Sequence, residues 1–364
     1  MVETIDLPRL RVAQVAPPYE RVPPPAYGGT ERIVDELARE LVRRGHEVTL
    51  FASGDSESPG DLVPTVPHAL RNSGPETDAT AGFVHTLELV LQHESRFDLI
   101  HSHIDFWSLA LARAARKPVV ATFHGRLDAP HAPDALRDQR SALVALSRAH
   151  AAQCPGFPWT VVYNGLSLHQ MPFGSEPGDD LCFVGRIAPE KGVLDAIEIA
   201  RISGRRLRLA AKEPFLEREK QYYAEVFAPA RSRADVEEVG ELRGAERDAL
   251  MAASYATLMP SDWPEPFGLT AIESLACGTP VIARPVGALP ELIRDGRDGF
   301  LGADAATMAA NLPAVAGLDR AGIRRDVIEH FSTSRMADGY EQIYRSVLAE
   351  RETTRIPPTR VARM

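Results

Sequence analysis

Asp262-Trp263-Pro264-Glu265-Pro266-Phe267-Gly268-Leu269-Thr270-Ala271-Ile272-Glu273-Ser274-Leu275-Ala276-Cys277-Gly278 reads as a loop that hands a strand over to a helix. The apolar run Tyr255–Met259 before it has strand character, and Pro280–Ala283 after it starts another strand. Pro264 and Pro266 stiffen the loop. A helical pattern follows, and Gly278 is its stop. The backbone N–H groups of Phe267, Gly268 and Leu269 fall at the start of that helix, where orphan donors and the helix dipole favour an anion. Gly268 lets a ligand approach the backbone. Glu273 sits roughly 9 Å along the helix from Phe267. Two carboxylates flanking an anion site suit a ligand with phosphate in the middle and hydroxyls at both ends, and a nucleotide sugar has that shape.

Working outward, Leu181–Gly185 is a second clean strand, followed by Arg186-Ile187-Ala188-Pro189-Glu190-Lys191-Gly192 and a helix to about Ile202. Arg186 and Lys191 are five apart, one at the strand end and one at the helix mouth. Arg as a planar fork and Lys as a mobile point charge can both reach a diphosphate, and two solvated surface cations give the same pattern. Glu265-Pro266-Phe267-Gly268-Leu269-Thr270-Ala271-Ile272-Glu273 resembles the signature of the retaining glycosyltransferases of family 4, which have the GT-B fold. Gly185-Arg186-Ile187-Ala188-Pro189-Glu190-Lys191-Gly192 is similar to a second string of that family, at the expected distance of about eighty residues upstream. The resemblance covers nearly the whole chain. Within the family it resembles the avilamycin-type bacterial natural-product transferases, which favours UDP as the nucleotide.

Bulk properties are those of a soluble globular protein. At 364 residues two domains are the natural expectation. A net charge of −9 argues against a nucleic-acid partner, which needs a basic footprint. Cys154, Cys182 and Cys277 are far apart and odd in number, so they point to a reducing cytoplasm rather than a disulfide framework. The first residues, Met1–Asp6, do not form a signal peptide, and no run approaches the ~18 apolar residues of a membrane span. Peripheral membrane contact stays open.

In the first half, Leu10–Ala16 is a strand and a proline-rich loop, Pro17–Tyr27, leads to Gly28-Gly29-Thr30. An amphipathic helix follows, with Ile33, Val34, Leu37, Ala38, Leu41 and Val42 on one face, Thr30 as N-cap and Gly45 past its end. Gly28 and Gly29 offer bare backbone to a ligand, or make a turn. They do not form a dinucleotide fingerprint. Residues 53–80 read as a loop or insertion. His101, His103 and Asp105 alternate, and a pleated strand rarely converges three ligands on one metal ion. They line a cleft at strand ends, or serve as caps. His124 follows the strand Pro118–Phe123 and is structural or functional on its own evidence; Arg126 and Asp128 lie just beyond.

The expected fold is α/β: two Rossmann-like, doubly wound parallel-sheet domains facing a cleft. The domains are residues 1–168 on the acceptor side and 169–339 on the nucleotide-sugar side, with a hinge between Gly165 and Asp179 and a C-terminal helix, about 340–364, returning to the first. The resemblance implies retaining transfer of a hexosyl group from a UDP-sugar to an unidentified hydroxyl, without metal or cofactor. It implies His124, Arg186, Lys191 and Glu265 at the reacting centre. Donor contacts would come from Gly28, Gly29, Lys212, Gly240, Phe267, Gly268, Leu269 and Glu273. His103, Asp105 and Arg126 are acceptor-side candidates. A GT-B nucleotide-sugar 2-epimerase or a non-catalytic nucleotide-sugar-binding protein shares these features. A two-carboxylate glycosidase would leave Arg186 and Lys191 idle.

Overall fold

The computed structural model describes residues 9–25, 28–73, 78–137, 139–212, 214 and 217–355. Tyr27, Glu213, the N-terminal residues 1–8 and the tail beyond Arg355 lie outside the described residues.

Thirteen strands among the described residues form two sheets. The first contains β1 (Arg11–Val15), β2 (Glu47–Ser53), β3 (Asp61–Val66), β4 (Leu99–Ser102), β5 (Val119–Thr122), β6 (Ala142–Ala145) and β7 (Trp159–Val161). The second contains β8 (Leu181–Arg186), β9 (Leu207–Lys212), β10 (Val236–Gly240), β11 (Ala256–Met259), β12 (Val281–Ala283) and β13 (Gly299–Leu301). The spatial orders are β3-β2-β1-β4-β5-β6-β7 and β10-β9-β8-β11-β12-β13. Every pairing within them is parallel. The order reverses between β1 and β4 in one sheet and between β8 and β11 in the other. At such a reversal the following loops diverge and leave a crevice beyond the strands' carboxyl ends. Both expected glycine- and glutamate-bearing loops leave from these points.

Strands buried on both faces are near-continuously apolar. After the exposed Arg11 at its start, β1 is apolar except for Gln14, which is wholly buried. The helix Gly29–Arg43 packs Ile33, Leu37 and Leu41 into the core at four-residue spacing. Each of these fully buried side chains contributes about 2 kcal/mol. No helix among the described residues is long and apolar enough to cross a membrane. The three cysteines are buried free thiols.

Three local expectations are corrected. The segment 53–80 contains β3, an edge strand that pairs with β2. Pro64 hides it in the sequence, because proline cannot serve a central ladder yet is tolerated on an edge. Thr30 is not an N-cap; the helix begins at Gly29, with Gly28 in the cap position and Glu31 in the first turn. The helix that packs back on the first sheet starts at Thr333 and runs to Arg355. Arg44 binds Asp338 at 2.8 Å and Glu341 at 3.1 Å, and His46 meets Glu341 at 3.1 Å, fastening it there. The chain crosses between the sheets twice, side by side, where Leu166 bridges Ser332.

Candidate active site

The loop ahead of helix Leu269–Ala276 is built by its neighbours. Trp263 N–H donates to Glu190 O at 3.3 Å, and Ser261 Oγ donates to the same oxygen at 2.9 Å. The two sequence strings are therefore tied to each other through the backbone. Ala288 N–H donates to Glu265 O at 3.0 Å. Gly287, at φ +59°, lies against this turn so closely that a Cβ there would stand 2.5 Å from Glu265 N. Lys191 Nζ donates to the Glu265 carboxylate. Arg186, by contrast, is held by two carboxylates, Glu219 at 2.9 Å and Glu190 at 2.7 Å. Phe267 is buried and packs against Tyr163 and Phe331. Gly268 has φ +104° and caps the helix.

Between the two sheets is a cavity of about 160 Å³. Gly28 and Gly29 line it from the first domain, and Lys212, Leu269 and Glu273 from the second. Gly28 is needed there sterically, since a Cβ would come within 2.6 Å of Pro24. Gly240, in the left-handed region at φ +78°, turns the chain so that Glu241 and Leu242 join the wall. Glu273 is 3% exposed and is clamped by two arginines. Arg32 reaches it from the first domain, and Arg247 binds it at 3.0 Å. A larger groove, about 850 Å³, lies elsewhere along the amino ends of the first sheet and contains none of the candidate residues.

His124 stands across the cleft at the end of β5. Its Nε2 is 3.0 Å from His103 Nδ1. Burial drives the His124 pKa down to about 3 and holds His103 well below the ordinary imidazole range, so both rings are neutral. His103 is buried behind His124 rather than lining the open cleft. Asp105 adopts φ +46°, and its Oδ1 accepts from His124 N–H at 2.6 Å and Gly125 N–H at 3.2 Å. It shapes the His124 turn from below. Burial raises its pKa, and the two N–H bonds oppose that rise. His101 points into the core toward Thr122 and Tyr344. Each member of the alternating trio is therefore engaged within the protein. Arg126 is exposed, paired with Asp128, and lies over the Trp263 ring at 4.9 Å.

The domains meet through specific contacts beside these groups. Ser147 Oγ donates to Pro266 O at 2.8 Å, and Gln153 Nε2 to Pro264 O at 3.2 Å. Glu291 accepts from Arg148 N–H, Ala149 N–H and Tyr163 O–H at 3.0, 2.7 and 2.7 Å. These bonds set the Glu265 loop next to the His124 turn.

The sequence profile of Glycosyltransferase Family 4 matches residues 27–170, and that of Glycosyl transferases group 1 matches residues 173–329. The chain belongs to the family 4-like glycosyltransferases. A glycogen synthase from Mycobacterium tuberculosis is 26% identical over 97% of this chain and 98% of its own length. The crystal structure of AviGT4, a glycosyltransferase involved in avilamycin A biosynthesis, superposes with a TM-score of 0.72 at 26% identity, covering 94% of this chain and 98% of that one. Anabaena HepE in complex with UDP and glucose superposes at 0.71 with 18% identity, over 93% of this chain and 100% of that one, a likeness of fold. The fold of this glycosyltransferase is GT-B.

Sequence reasoning overlooked several residues that the glycosyltransferase brings to its cleft or sets behind it. Arg32 follows Gly29 by three positions, one helical turn, so the glycine pair and the arginine share one end of the helix. Arg247 occupies the second turn of Gly244–Ala252. An arginine one turn inside a cleft-facing helix is the signal that could have found both. Gln14, joined to His103 at 2.8 Å, had only its isolation within an apolar strand to mark it.

Proposed function

We propose that this glycosyltransferase moves a hexosyl group, with retention at the anomeric carbon, from a UDP-sugar to a hydroxyl acceptor. The observation that carries the reading is the cavity at the facing strand ends, with glycine backbone on one wall and Lys212, Arg247 and Glu273 on the other. The UDP held by the Anabaena neighbour supports the nucleotide. In this reading Glu273 takes the ribose diol and Glu265 the donor-sugar hydroxyls. Lys191, Lys212 and the backbone N–H groups at Phe267–Leu269 receive the diphosphate. Arg186 joins them by exchanging Glu190 and Glu219 for phosphate oxygens.

The reaction proceeds by front-face attack. The acceptor oxygen bonds to the anomeric carbon as the bond to the diphosphate oxygen breaks, and the acceptor proton passes to the departing diphosphate. Negative charge grows on that leaving group, so preorganised cations and helix N–H donors act where they matter most. Neutral His124 contacts the sugar near the reacting carbon. His103, Asp105 and Arg126 sit on the acceptor side, the first two supporting the His124 turn and Arg126 facing outward. Domain closure excludes water, which competes as acceptor.

The test is nucleoside diphosphate release from UDP-, GDP- and ADP-sugars, with and without EDTA. Slow, EDTA-insensitive release of UDP from one donor supports the reading. Conversion of the donor to its 2-epimer, or tight UDP binding with no turnover on any acceptor panel, would overturn it.

A further inference from the structure

A chain of buried polar groups runs from the cleft into the core. Gln14 and His101 are direct register partners on β1 and β4, and neither is exposed. Gln14 Oε1 accepts from His103 Nε2 at 2.8 Å, and Gln14 Nε2 meets His101 Nδ1 at 3.3 Å. His101 Nδ1 also lies 2.7 Å from the Tyr344 hydroxyl, and His101 Nε2 meets Thr122 Oγ1 at 2.8 Å. Thr122 in turn meets Tyr340 O–H at 3.1 Å on the helix that returns from the second domain.

Imidazoles and hydroxyls can serve such a chain in either direction. An amide cannot, because its donor and its acceptor are different atoms. An amide oxygen only accepts, so His103 carries its proton on Nε2. Neutral His103 then has a bare Nδ1, and His124 Nε2, 3.0 Å away, must be the donor. His124, also neutral, is left with a bare Nδ1, to which no described residue donates. Turning the amide over would reverse each bond in series and present an N–H from His124 instead.

We infer that Gln14 is a positioning residue: its amide fixes the tautomers of His103 and His124, so that His124 offers the cleft a hydrogen-bond acceptor and selects a ligand hydroxyl that donates. The inference rests on the proposed role of His124 as a sugar contact. An orienting group that sets a histidine's tautomer can govern catalysis without touching substrate.

The experiment uses the full chain labelled with ¹⁵N-histidine. Long-range ¹H–¹⁵N correlation spectra distinguish protonated from bare ring nitrogens, with His124 assigned by its loss in His124→Asn. Wild-type His124 is expected in its Nε2–H form. In Gln14→Leu the acceptor for His103 is gone, and His124 shifts toward the Nδ1–H form. In Gln14→Glu the carboxylate accepts from both neighbours, so His101 turns to Nδ1–H while His124 stays as it was. This variant keeps the test alive if the leucine variant folds poorly. On the donor that turns over, Gln14→Leu lowers kcat at least about tenfold, with donor KM within about threefold. Nδ1–H on wild-type His124, or an unchanged tautomer in folded Gln14→Leu, overturns the assignment. A tautomer change with unchanged kcat leaves the assignment standing and overturns the sugar-contact role of His124.

Discussion

Replacing Lys191 with methionine keeps the apolar stem and removes the charge. Lys191 and Glu265 are 23% and 15% exposed as side chains, which places the pair in a partly screened setting rather than a dry one. With an effective dielectric near 20, a cation about 4 Å from a phosphate oxygen contributes about 4 kcal/mol. Lost altogether, that is about a thousandfold in kcat/KM. Only charge that grows between bound donor and transition state counts toward kcat. With roughly half of it developing in that step, kcat falls about thirtyfold and the rest appears in donor binding. Glu265 keeps solvent access, so the stability cost is about 1 kcal/mol, a Tm drop of about 2–4 °C. The assay is nucleoside diphosphate release at saturating and subsaturating donor, with a thermal melt on the same sample. A kcat/KM within about tenfold of wild type, in a protein that melts normally, would refute the placement of Lys191 at the leaving group.

Three further outcomes are expected. Glu291→Ala removes three interdomain bonds to one carboxylate, worth about 1.5 kcal/mol each; small-angle scattering should report a larger radius of gyration, and unchanged dimensions would count against the clamp. Gly287→Ala forces a Cβ into the Glu265 backbone at a positive φ, so activity should fall at least about tenfold from a displaced Glu265 loop, read as kcat/KM beside a crystal structure. His101, His103, His124 and His150 are all neutral in the fold because burial lowers their pKa values, to about 3 for His124 and about 4 for His150. The unfolded chain binds these protons below pH ~6.5 and the folded chain does not, so stability falls as pH drops from ~6.5 toward ~4, by up to about 1.4 kcal/mol per pH unit for each histidine. Urea melts at pH 7, 6 and 5 measure this, and a flat profile would contradict the buried neutral ring assignments.

By itself the sequence determined the parts of this protein that are local. Apolar runs separated by glycine and proline marked the strands on either side of both family strings, because a strand buried on two faces leaves a continuous apolar trace. The string Glu265–Glu273 and the string Gly185–Gly192 carried the family, since each places its chemistry within one strand–loop–helix unit. The edge strand Asp61–Val66 escaped because Pro64 argues against a strand everywhere except at an edge, and being at an edge is a property of the whole sheet. Tertiary structure alone decided who meets whom. Arg32 and Glu273 are far apart in the chain, and only the facing of two sheets joins them. Gln14, His101, His103 and His124 come from three different stretches, and parallel register at the reversal of the first sheet stacks them into one hydrogen-bonded line. Periodicity records the environment of a residue. It does not record its distant partners, which depend on how the finished layers pack.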